Sequence, residues 1–384
     1  MALTHEENDL FTRVGPGSRA GRMMRAYWHP IGFAKELQDK PKRRKLLGED
    51  LVLFRDEKGR LGLLGLHCPH RGTSLEFGYL EDGGIRCCYH GWLFDVDGHC
   101  LEQPAEPPES SFKDRIGLPA YKAEELGGVI FAYLGPEPAP LVPRYDVLVR
   151  EDGVRSMGAR VQSCNYFQAV ENTVDQHHFR FLHRTPSSRH WKDVELHSQI
   201  TEFGIQDRYA RRVGDEKYTT VSYFIMPTMN KTGYHHEEDH PAGFRAAHPG
   251  YEAMRWRVPM DNTHTLHVTV AFSPLVDGQP APALPPDRQE EGISETPAGI
   301  FRWDESIGAI ARGDQDRCAQ ESQGPIYDRT TEHLGVSDKG VILLRNMYKQ
   351  CIESVESGMD PVGVIRSHEK NKIIEIIPWE ETSS

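Results

Sequence analysis

Two short segments in the first quarter of the chain each combine a cysteine with a histidine. Residues 68–72 read CPHRG and residues 87–92 read CCYHGW. Each segment supplies one thiolate and one imidazole from a glycine-containing loop. Two such loops facing each other can hold a [2Fe–2S] cluster, with both cysteines on one iron and both histidines on the other. The pattern C-x-H-x16-C-x2-H therefore predicts four cluster ligands: Cys68, His70, Cys87 and His90.

A zinc site is the competing interpretation of two cysteines and two histidines. Zinc fingers keep their cysteines in one pair and their histidines in another, whereas each loop here is mixed, which favours the iron–sulfur cluster. Cys88 is out of register for the C-x2-H pair and His67 directly precedes the first cysteine, so we expect neither to be a ligand. The other cysteines are interpreted as ordinary buried thiols: Cys100, Cys164, Cys318 and Cys351.

A second group of candidate ligands lies in residues 163–184, a stretch that is predicted to be helical. His178 and His183 are five residues apart, which is about 140° around a regular α-helix. They can share a metal only if the helix is locally widened or if the second histidine lies past its end. Asp175, three residues before His178, would lie on the same helix face, where a carboxylate could accept an imidazole N–H.

Two histidines and one carboxylate leave open positions on one side of Fe(II), as the activation of O2 beside a substrate requires. The carboxylate of such a site must come from elsewhere in the chain. Spacing alone leaves three candidates for it: Asp314, Asp316 and Glu321.

The sequence patterns around these residues predict an α+β protein in three parts. Residues 1–30 carry short helices, residues 31–145 alternate β-rich runs with turns as in a small antiparallel β domain, and residues 146–384 form a catalytic domain. Strands are predicted at 218–226, 254–258 and 263–272, and long loops at 227–252 and 274–300. A last helix is predicted over 341–356, ended by Gly358.

The composition describes an acidic globular protein and argues against several classes of function. The 384 residues carry a formal net charge of −12 without a basic stripe, so nucleic acid is not an expected partner. No apolar run approaches the ~20 residues of a membrane span. The N-terminus lacks the features of a secretory signal, and we expect a cytoplasmic protein. One basic cluster, residues 40–45, is either a solvated loop or a docking patch for an acidic redox partner.

With these segments together, the chain resembles the oxygenase component of Rieske non-haem iron aromatic oxygenases. The resemblance is to the phthalate-dioxygenase-like branch, which also contains aryl O-demethylases. It spans nearly the whole chain and is carried by residues 3–8, 48–55, 68–72, 89–92, 171–183, 320–324 and 328–329. It implies a Rieske domain followed by a helix-plus-antiparallel-sheet catalytic domain of the helix-grip (START-like) type.

The resemblance also implies roles for individual residues. His178, His183 and Asp316 would hold a mononuclear iron, the aspartate because it stands seven residues before Gln323 as the family's aspartate does. Asp175 would link the cluster of one subunit to the iron of its neighbour, and Asn172 would lie near iron and substrate. Implied partners are O2, an aromatic substrate and a separate flavin and iron–sulfur reductase that draws on NAD(P)H, in a homotrimer or a hexamer of stacked trimers.

The expected activity is hydroxylation of an aromatic, carboxylated substrate. Aryl-ether O-demethylation uses the same ligands and is the alternative within the enzyme class. An electron-transfer Rieske protein would need only residues 1–145, and a regulatory iron–sulfur sensor would show no substrate-dependent O2 uptake. Several arginines are available to bind a carboxylate, although each is more simply a strand-surface charge: Arg208, Arg211, Arg212, Arg255 and Arg257.

Overall fold

The computed structural model describes residues 2–183, 192–213, 215–233, 252–276, 278–280, 293–295, 298–305, 309–311 and 313–376. Its α-helices are α1 (His5–Thr12), α2 (Arg19–Arg25), α3 (Asp146–Val149), α4 (Tyr166–Val174), α5 (His178–Phe181), α6 (Gln315–Glu321) and α7 (Lys339–Glu356). The last of these is the helix predicted over 341–356, and Gly358, with a φ of +75°, follows its end as predicted.

The two short helices predicted near the N-terminus are present, and each has a polar side chain as its N-cap. Thr4 and Glu7 form a capping box at α1, in which each side chain accepts the amide N–H of the other residue, at 3.1 and 2.9 Å. Ser18 caps α2. Phe11 of α1 stacks on Phe167 of α4, with ring centroids 5.0 Å apart. The N-terminal helices therefore pack on the C-terminal half of the chain.

Residues 29–133 form three small antiparallel sheets. Their strands are β1 (His29–Phe33), β2 (Lys42–Leu46), β3 (Glu49–Arg55), β4 (Leu61–Gly65), β5 (Tyr79–Glu81), β6 (Gly84–Arg86), β7 (Leu93–Asp95), β8 (Cys100–Glu102), β9 (Lys122–Leu126) and β10 (Val129–Tyr133). The strand orders are β1-β10-β9, β2-β3-β4 and β5-β6-β7-β8. The two cysteine–histidine loops connect β4 to β5 and β6 to β7.

The C-terminal half is built on a nine-stranded sheet. The remaining strands are β11 (Gly153–Gln162), β12 (Lys192–Ile200), β13 (Gly204–Val213), β14 (Glu216–Ile225), β15 (Met229–Gly233), β16 (Glu252–Pro259), β17 (Thr265–Val276), β18 (Gln279–Pro280), β19 (Ile293–Glu295), β20 (Trp303–Asp304) and β21 (Ala309–Ile310). The sheet order is β12-β13-β14-β15-β16-β17-β11-β19, with β18 paired to β17, while β20 and β21 form a separate pair.

The large sheet separates two environments, because successive side chains on a strand point to opposite faces. Trp256 of β16 meets the ring of Phe131 of β10 edge-on, with centroids 6.2 Å apart, so this face packs on the N-terminal β domain. Phe224 of β14 lies on the other face, where its ring stacks at 6.4 Å on Tyr348 of α7. The helices and the candidate metal ligands lie on this second face.

Three sequence predictions need correction. The helix predicted over 163–184 is two helices, because the chain leaves α4 at Asp175 with φ −96° and ψ +96°. The loop predicted at 227–252 contains β15, and the loop predicted at 274–300 contains the end of β17 together with β18 and β19. The central parts of both predicted loops, 234–251 and 281–292, lie outside the described residues. Glycine, proline and charge mark turns well but hide the short strands between them.

Candidate metal centres

The two cysteine–histidine loops share one backbone construction. In each, the cysteine carbonyl accepts the amide N–H of the glycine four residues later, at 2.8 Å for Cys68 and Gly72 and 3.0 Å for Cys87 and Gly91. The cysteine N–H donates to the carbonyl of the residue five positions on, at 2.9 Å in both loops. Both glycines have a positive φ, +76° and +75°, which strains any residue with a side chain. The repeated construction presents the cysteine and the histidine of each loop in the same way.

The four predicted cluster ligands divide into a buried sulfur pair and an outward imidazole pair. Cys68 and Cys87 are 2% and 3% exposed, whereas the imidazoles of His70 and His90 lie at the surface with centroids 4.3 Å apart. Burial, together with the neighbouring Cys87, raises the pKa of Cys68 to about 11, so that a thiolate there needs a cation beside it. Two sulfurs on the inner side and two imidazoles on the outer side are the donor types that a [2Fe–2S] cluster with two histidine ligands uses. The donor set therefore fits such a cluster.

The break after α4 brings the two candidate histidines together. His178 is the first residue of α5, and His183 lies two residues past the end of that short helix. Their imidazole centroids are 5.1 Å apart. Of the two arrangements that the five-residue spacing allows, the chain uses the second, in which the second histidine lies beyond the helix end.

Hydrogen bonds fix the same ring orientation at both histidines. His178 Nδ1 is bonded to the main-chain carbonyl of Asp175, and His183 Nδ1 lies 2.8 Å from Oε1 of Gln315. Both partners are acceptors, so each Nδ1 carries the proton and each Nε2 presents a lone pair. This is the tautomer that a metal-binding imidazole needs when it ligates through Nε2. Sequence reasoning missed Gln315, whose only signal is its place directly before Asp316.

The carboxylate of Asp316 completes the group. Its Oδ1 lies 3.0 Å from His183 Nε2 and 3.6 Å from His178 Nε2, yet this buried oxygen receives a well-aligned hydrogen bond from no described residue. Three lone-pair donors repel one another unless a cation lies between them. Cis ligands at about 2.1 Å from a divalent metal are about 3 Å apart. The described residues contain one such set of ligands, His178, His183 and Asp316, and its geometry fits one metal ion.

Electrostatics favour the same assignment. Burial acts to raise the pKa of Asp316, but His183, His178 and the charge of Arg257 outweigh it and lower the pKa to about 2. Burial lowers the pKa of His178, against the opposing charges of Asp316 and Asp175. The carboxylate is therefore ionised and the imidazole neutral at physiological pH, which are the forms that bind metal.

The two other carboxylate candidates are committed to other partners. Asp314 accepts hydrogen bonds from Arg302, at 2.9 and 3.0 Å, and pairs with the buried Arg317. Glu321 also lies against Arg317, at 3.4 Å, on the far turn of α6. Of the three candidates, Asp316 is the one whose carboxylate lies beside both imidazoles.

Asp175 does not lie on a helix face with His178 as the sequence predicted. It is the residue that ends α4, and its main-chain carbonyl rather than its carboxylate binds the imidazole. The carboxylate Oδ2 is 4.0 Å from His178 Nδ1, and the side chain is 39% exposed. Asn172 lies half-buried in the last turn of α4. The other carboxylate oxygen, Oδ1, accepts the amide N–H of His177 at 3.1 Å.

A close approach between helices holds this junction in place. A Cβ added to Gly340, in the first turn of α7, would lie 2.3 Å from the carbonyl oxygen of Val174, the last residue of α4. Only glycine permits this contact. The end of α4, and with it the start of the segment that carries His178, is therefore set by the position of α7.

Most of the basic cluster at residues 40–45 lies on β2, which begins at Lys42. Arg43 and Lys45 pair with Asp50 at 3.0 and 3.1 Å, and Arg44 pairs with Glu36 at 2.9 Å. Two carboxylates therefore face the five cations of this segment, which keeps a net positive charge.

Comparisons with known proteins identify the family of this chain. Residues 27–122 match the family model described as the Rieske [2Fe-2S] domain. The chain is 34% identical over 387 aligned positions to the 5,5'-dehydrodivanillate O-demethylase oxygenase subunit of Sphingobium sp. (strain NBRC 103272 / SYK-6), covering 97% of this chain and 86% of the relative. This chain belongs to the Rieske oxygenase family. It is the oxygenase subunit of a multicomponent system, and its cofactors are a Rieske [2Fe–2S] cluster and a mononuclear iron.

Other similarities extend over the same length. The oxygenase subunit is 33% identical over 381 positions to the phenoxybenzoate dioxygenase subunit alpha of Ectopseudomonas oleovorans, with 91% of this chain and 86% of the relative covered. The solved structure of NdmA from Pseudomonas putida CBB5 superposes with a TM-score of 0.64 at 20% identity over 88% of this chain and 94% of that one. The expected α+β fold and oxygenase activity are confirmed, and the electron-transfer alternative is not supported. Among the described helices, none combines the length and apolar character needed to cross a membrane.

Proposed function

We propose that this oxygenase subunit oxidises an aromatic substrate beside a mononuclear iron held by His178, His183 and Asp316. The observation that carries the proposal is the convergence of these three donors, with both imidazoles oriented through Nδ1 so that Nε2 faces the carboxylate. Iron held in this way would supply a site for reaction of O2 beside the substrate. The two imidazoles would donate lone pairs to the metal, and the ionised carboxylate would neutralise part of its charge.

We infer that Cys68, His70, Cys87 and His90 hold the cluster. The sulfurs are enclosed and the imidazoles lie at the surface. The bound cluster would therefore be closest to the protein surface on its histidine side. This arrangement suits a protein that receives electrons from a reductase, which draws on NAD(P)H, and passes them to a second metal.

Asp175 is proposed as the connection between the two kinds of centre. Its carboxylate is exposed and could accept the N–H of a cluster histidine from a neighbouring copy, while its carbonyl holds His178. This role requires an assembly, and we propose a homotrimer or a hexamer of two trimers. Asn172, one turn before the break, is proposed to lie beside iron and substrate.

Two reactions are compatible with this site. Dihydroxylation places both atoms of O2 in the product, whereas O-demethylation gives a phenol and formaldehyde and returns one oxygen atom as water. Each reaction consumes O2, two electrons and two protons. The similarity to a dehydrodivanillate O-demethylase subunit favours the second reaction, and the similarity to a phenoxybenzoate dioxygenase subunit favours the first.

The deciding experiment is product analysis under 18O2. The purified subunit, loaded with iron and supplied with a reductase and NADH, is given a panel of benzoates, phthalates, methoxybenzoates and diaryl ethers. A diol with two labelled atoms identifies a dioxygenase, and formaldehyde with an unlabelled phenol oxygen identifies a demethylase. If no substrate of the panel gives an oxygenated or demethylated product and O2 uptake yields only peroxide, the proposal is wrong.

Metal analysis tests the ligand assignment separately. The subunit should contain about three irons per chain, two in the cluster and one in the mononuclear site. His183→Ala should lower the iron content by one while keeping the visible absorbance of the cluster. Loss of that absorbance in this variant would show that His183 does not belong to a separate site.

A further inference from the structure

Two arginines and one histidine form a row across the large sheet. Arg160 of β11 lies directly opposite His267 of β17, and His267 lies directly opposite Arg257 of β16. Residues paired in this way point to the same face of the sheet. Arg257 follows Trp256, which faces the N-terminal domain, so the row lies on the opposite face, with the helices and the candidate iron ligands.

The row lies close to Asp316. Arg160 Nη1 donates a hydrogen bond of 3.1 Å to the carbonyl of Gly313, three residues before that aspartate. The row is therefore part of the wall that surrounds the proposed iron site.

Among the described residues, Arg257 has hydrogen-bond acceptors but no carboxylate partner. It is 9% exposed, and its Nη1 donates to Asn230 Oδ1 and, at 3.0 Å, to the carbonyl of Arg255. Its Nε has no acceptor among the described residues, and the same is true of His267 Nε2. The described residues place no carboxylate within ion-pair distance of this guanidinium, whereas the buried Arg345 pairs with Glu171 and Glu332.

Burying a guanidinium costs free energy unless it is paired or fully hydrogen-bonded. Burial is the main cause that lowers the pKa of Arg257 to about 9, and the charges of Arg255 and Arg160 lower it further. The group is still protonated at neutral pH. Asp316 supplies some compensation, but that carboxylate is the proposed iron ligand and its charge is shared with the metal.

We propose that the row of Arg160, His267 and Arg257 is an oxyanion subsite that binds the carboxylate of an aromatic acid substrate, with Arg257 as the residue that determines the preference for acids. The inference rests on the proposed function, because it names the substrate class of the same site. The free Nε edge of Arg257 can donate to one carboxylate oxygen, and guanidinium matches the planar geometry of a carboxylate. An acid held there is fixed relative to the iron ligands, so the row would also select which ring position is oxidised.

The binding test uses methoxybenzoates and benzoates, each paired with its neutral amide, on the full subunit before iron is added to the mononuclear site. Affinities are measured by calorimetry for the wild type, Arg257→Met, Arg257→Lys and the surface control Arg366→Met. The wild type and the control should prefer acids over amides by about 10- to 100-fold, since one charge-assisted hydrogen bond is lost in the amide. Arg257→Met should remove this preference, and Arg257→Lys should keep part of it.

A melting measurement separates a binding role from a structural one. Because Arg257 has no ion-pair partner in the described residues, Arg257→Met should melt at the same temperature as the wild type or higher. Arg345→Met, which removes the ion pair of the buried Glu332 and leaves Glu171 with Arg329, should melt lower. The proposal is overturned if Arg257→Met is destabilised as Arg345→Met is, if no acid in the panel binds the wild type more tightly than its amide, or if the preference survives in Arg257→Met.

Turnover distinguishes failure of the subsite from failure of the proposed function. Acids that bind through Arg257 but give no oxygenated product would leave the subsite intact and refute the function. Products formed equally from acids and amides, in wild type and Arg257→Met alike, would support the function and refute the subsite. If the subsite and the proposed function are both correct, Arg257→Met should raise the KM for acids and change their kcat less. Both kinetic constants for amides should change little.

Discussion

The hydrogen bond from His183 Nδ1 to Gln315 gives the sharpest test of the mononuclear site. Gln315 is 1% exposed, and its Oε1 lies 2.8 Å from the imidazole nitrogen. Gln315→Leu keeps the buried volume and removes the acceptor. The imidazole of His183 then loses the bond that keeps its Nε2 directed at Asp316, while the ligand set itself is unchanged.

The expected loss follows from the role of that bond. Removing the partner that orients a metal-binding histidine typically lowers metal affinity about 10- to 100-fold, which corresponds to about 1.4–2.7 kcal/mol. Gln315→Glu keeps an acceptor at the same place and makes the imidazole a stronger donor. We therefore expect Gln315→Glu to retain wild-type affinity for Fe(II).

The assay is competition for Fe(II) with a chelator, with the cluster absorbance as an internal reference for folding. Gln320→Leu is the matched control, because Gln320 is 3% exposed on the same helix and accepts a 2.7 Å bond from Gln162, which is not a candidate ligand. The control should lose about 1–3 kcal/mol of stability and keep its iron affinity. Equal iron affinity in Gln315→Leu and Gln320→Leu would refute the orienting role of Gln315.

Three further predictions test other parts of the site. Asp175→Asn keeps the carbonyl that anchors His178, so both metals should stay bound while turnover falls about 10- to 100-fold; unchanged turnover in a steady-state assay would exclude the bridging role. Gly340→Ala should lower the free energy of unfolding by about 1–3 kcal/mol and also slow turnover, because a Cβ 2.3 Å from the Val174 carbonyl must displace the end of α4. At Gly335 an added Cβ meets no crowded contact, so Gly335→Ala should change neither the melting temperature nor the rate. Burial raises the pKa of Asp207, which is 1% exposed, to about 7; the hydrogen bond from Ser198 opposes this shift and the charge of Asp175 adds to it. The stability contributed by the neutral form is therefore complete below about pH 4 and is lost as the pH rises through 7. In denaturant titrations at pH 8, Asp207→Asn should exceed the wild type in free energy of unfolding by up to about 4 kcal/mol, and an equal difference at pH 5 would contradict the assignment.

The cluster loops could be predicted from sequence because each ligand pair is local. A cysteine, a histidine and a glycine within a few residues determine the loop, and the structure repeats that construction at Cys68 and Cys87. The mononuclear site is only partly local. The five-residue spacing of its histidines left two arrangements open, and the choice depends on where α4 ends. That end is set by Gly340, far along the chain, which no helical periodicity reveals.

The sequence alone could not predict which residues of neighbouring strands lie side by side near the candidate iron ligands. Five arginines were available as carboxylate partners, and their surroundings depend on strand register. Arg160, His267 and Arg257 become neighbours only through two antiparallel pairings. Arg257 is buried rather than a strand-surface charge, which corrects the simpler interpretation. The role of Gln315 could not be predicted either, because the sequence does not show that its side chain lies beside His183.

The two imidazoles are oriented by groups of different kinds, and this has a consequence for how the site can diverge. The partner of His178 is a main-chain carbonyl, which persists whatever side chain stands at position 175. The partner of His183 is a side chain, which a single base change can replace. Substitutions in related sequences can therefore change the orientation of His183, whereas the bond that orients His178 does not depend on a side chain. We expect differences in metal affinity between such sequences to arise first from replacement of Gln315.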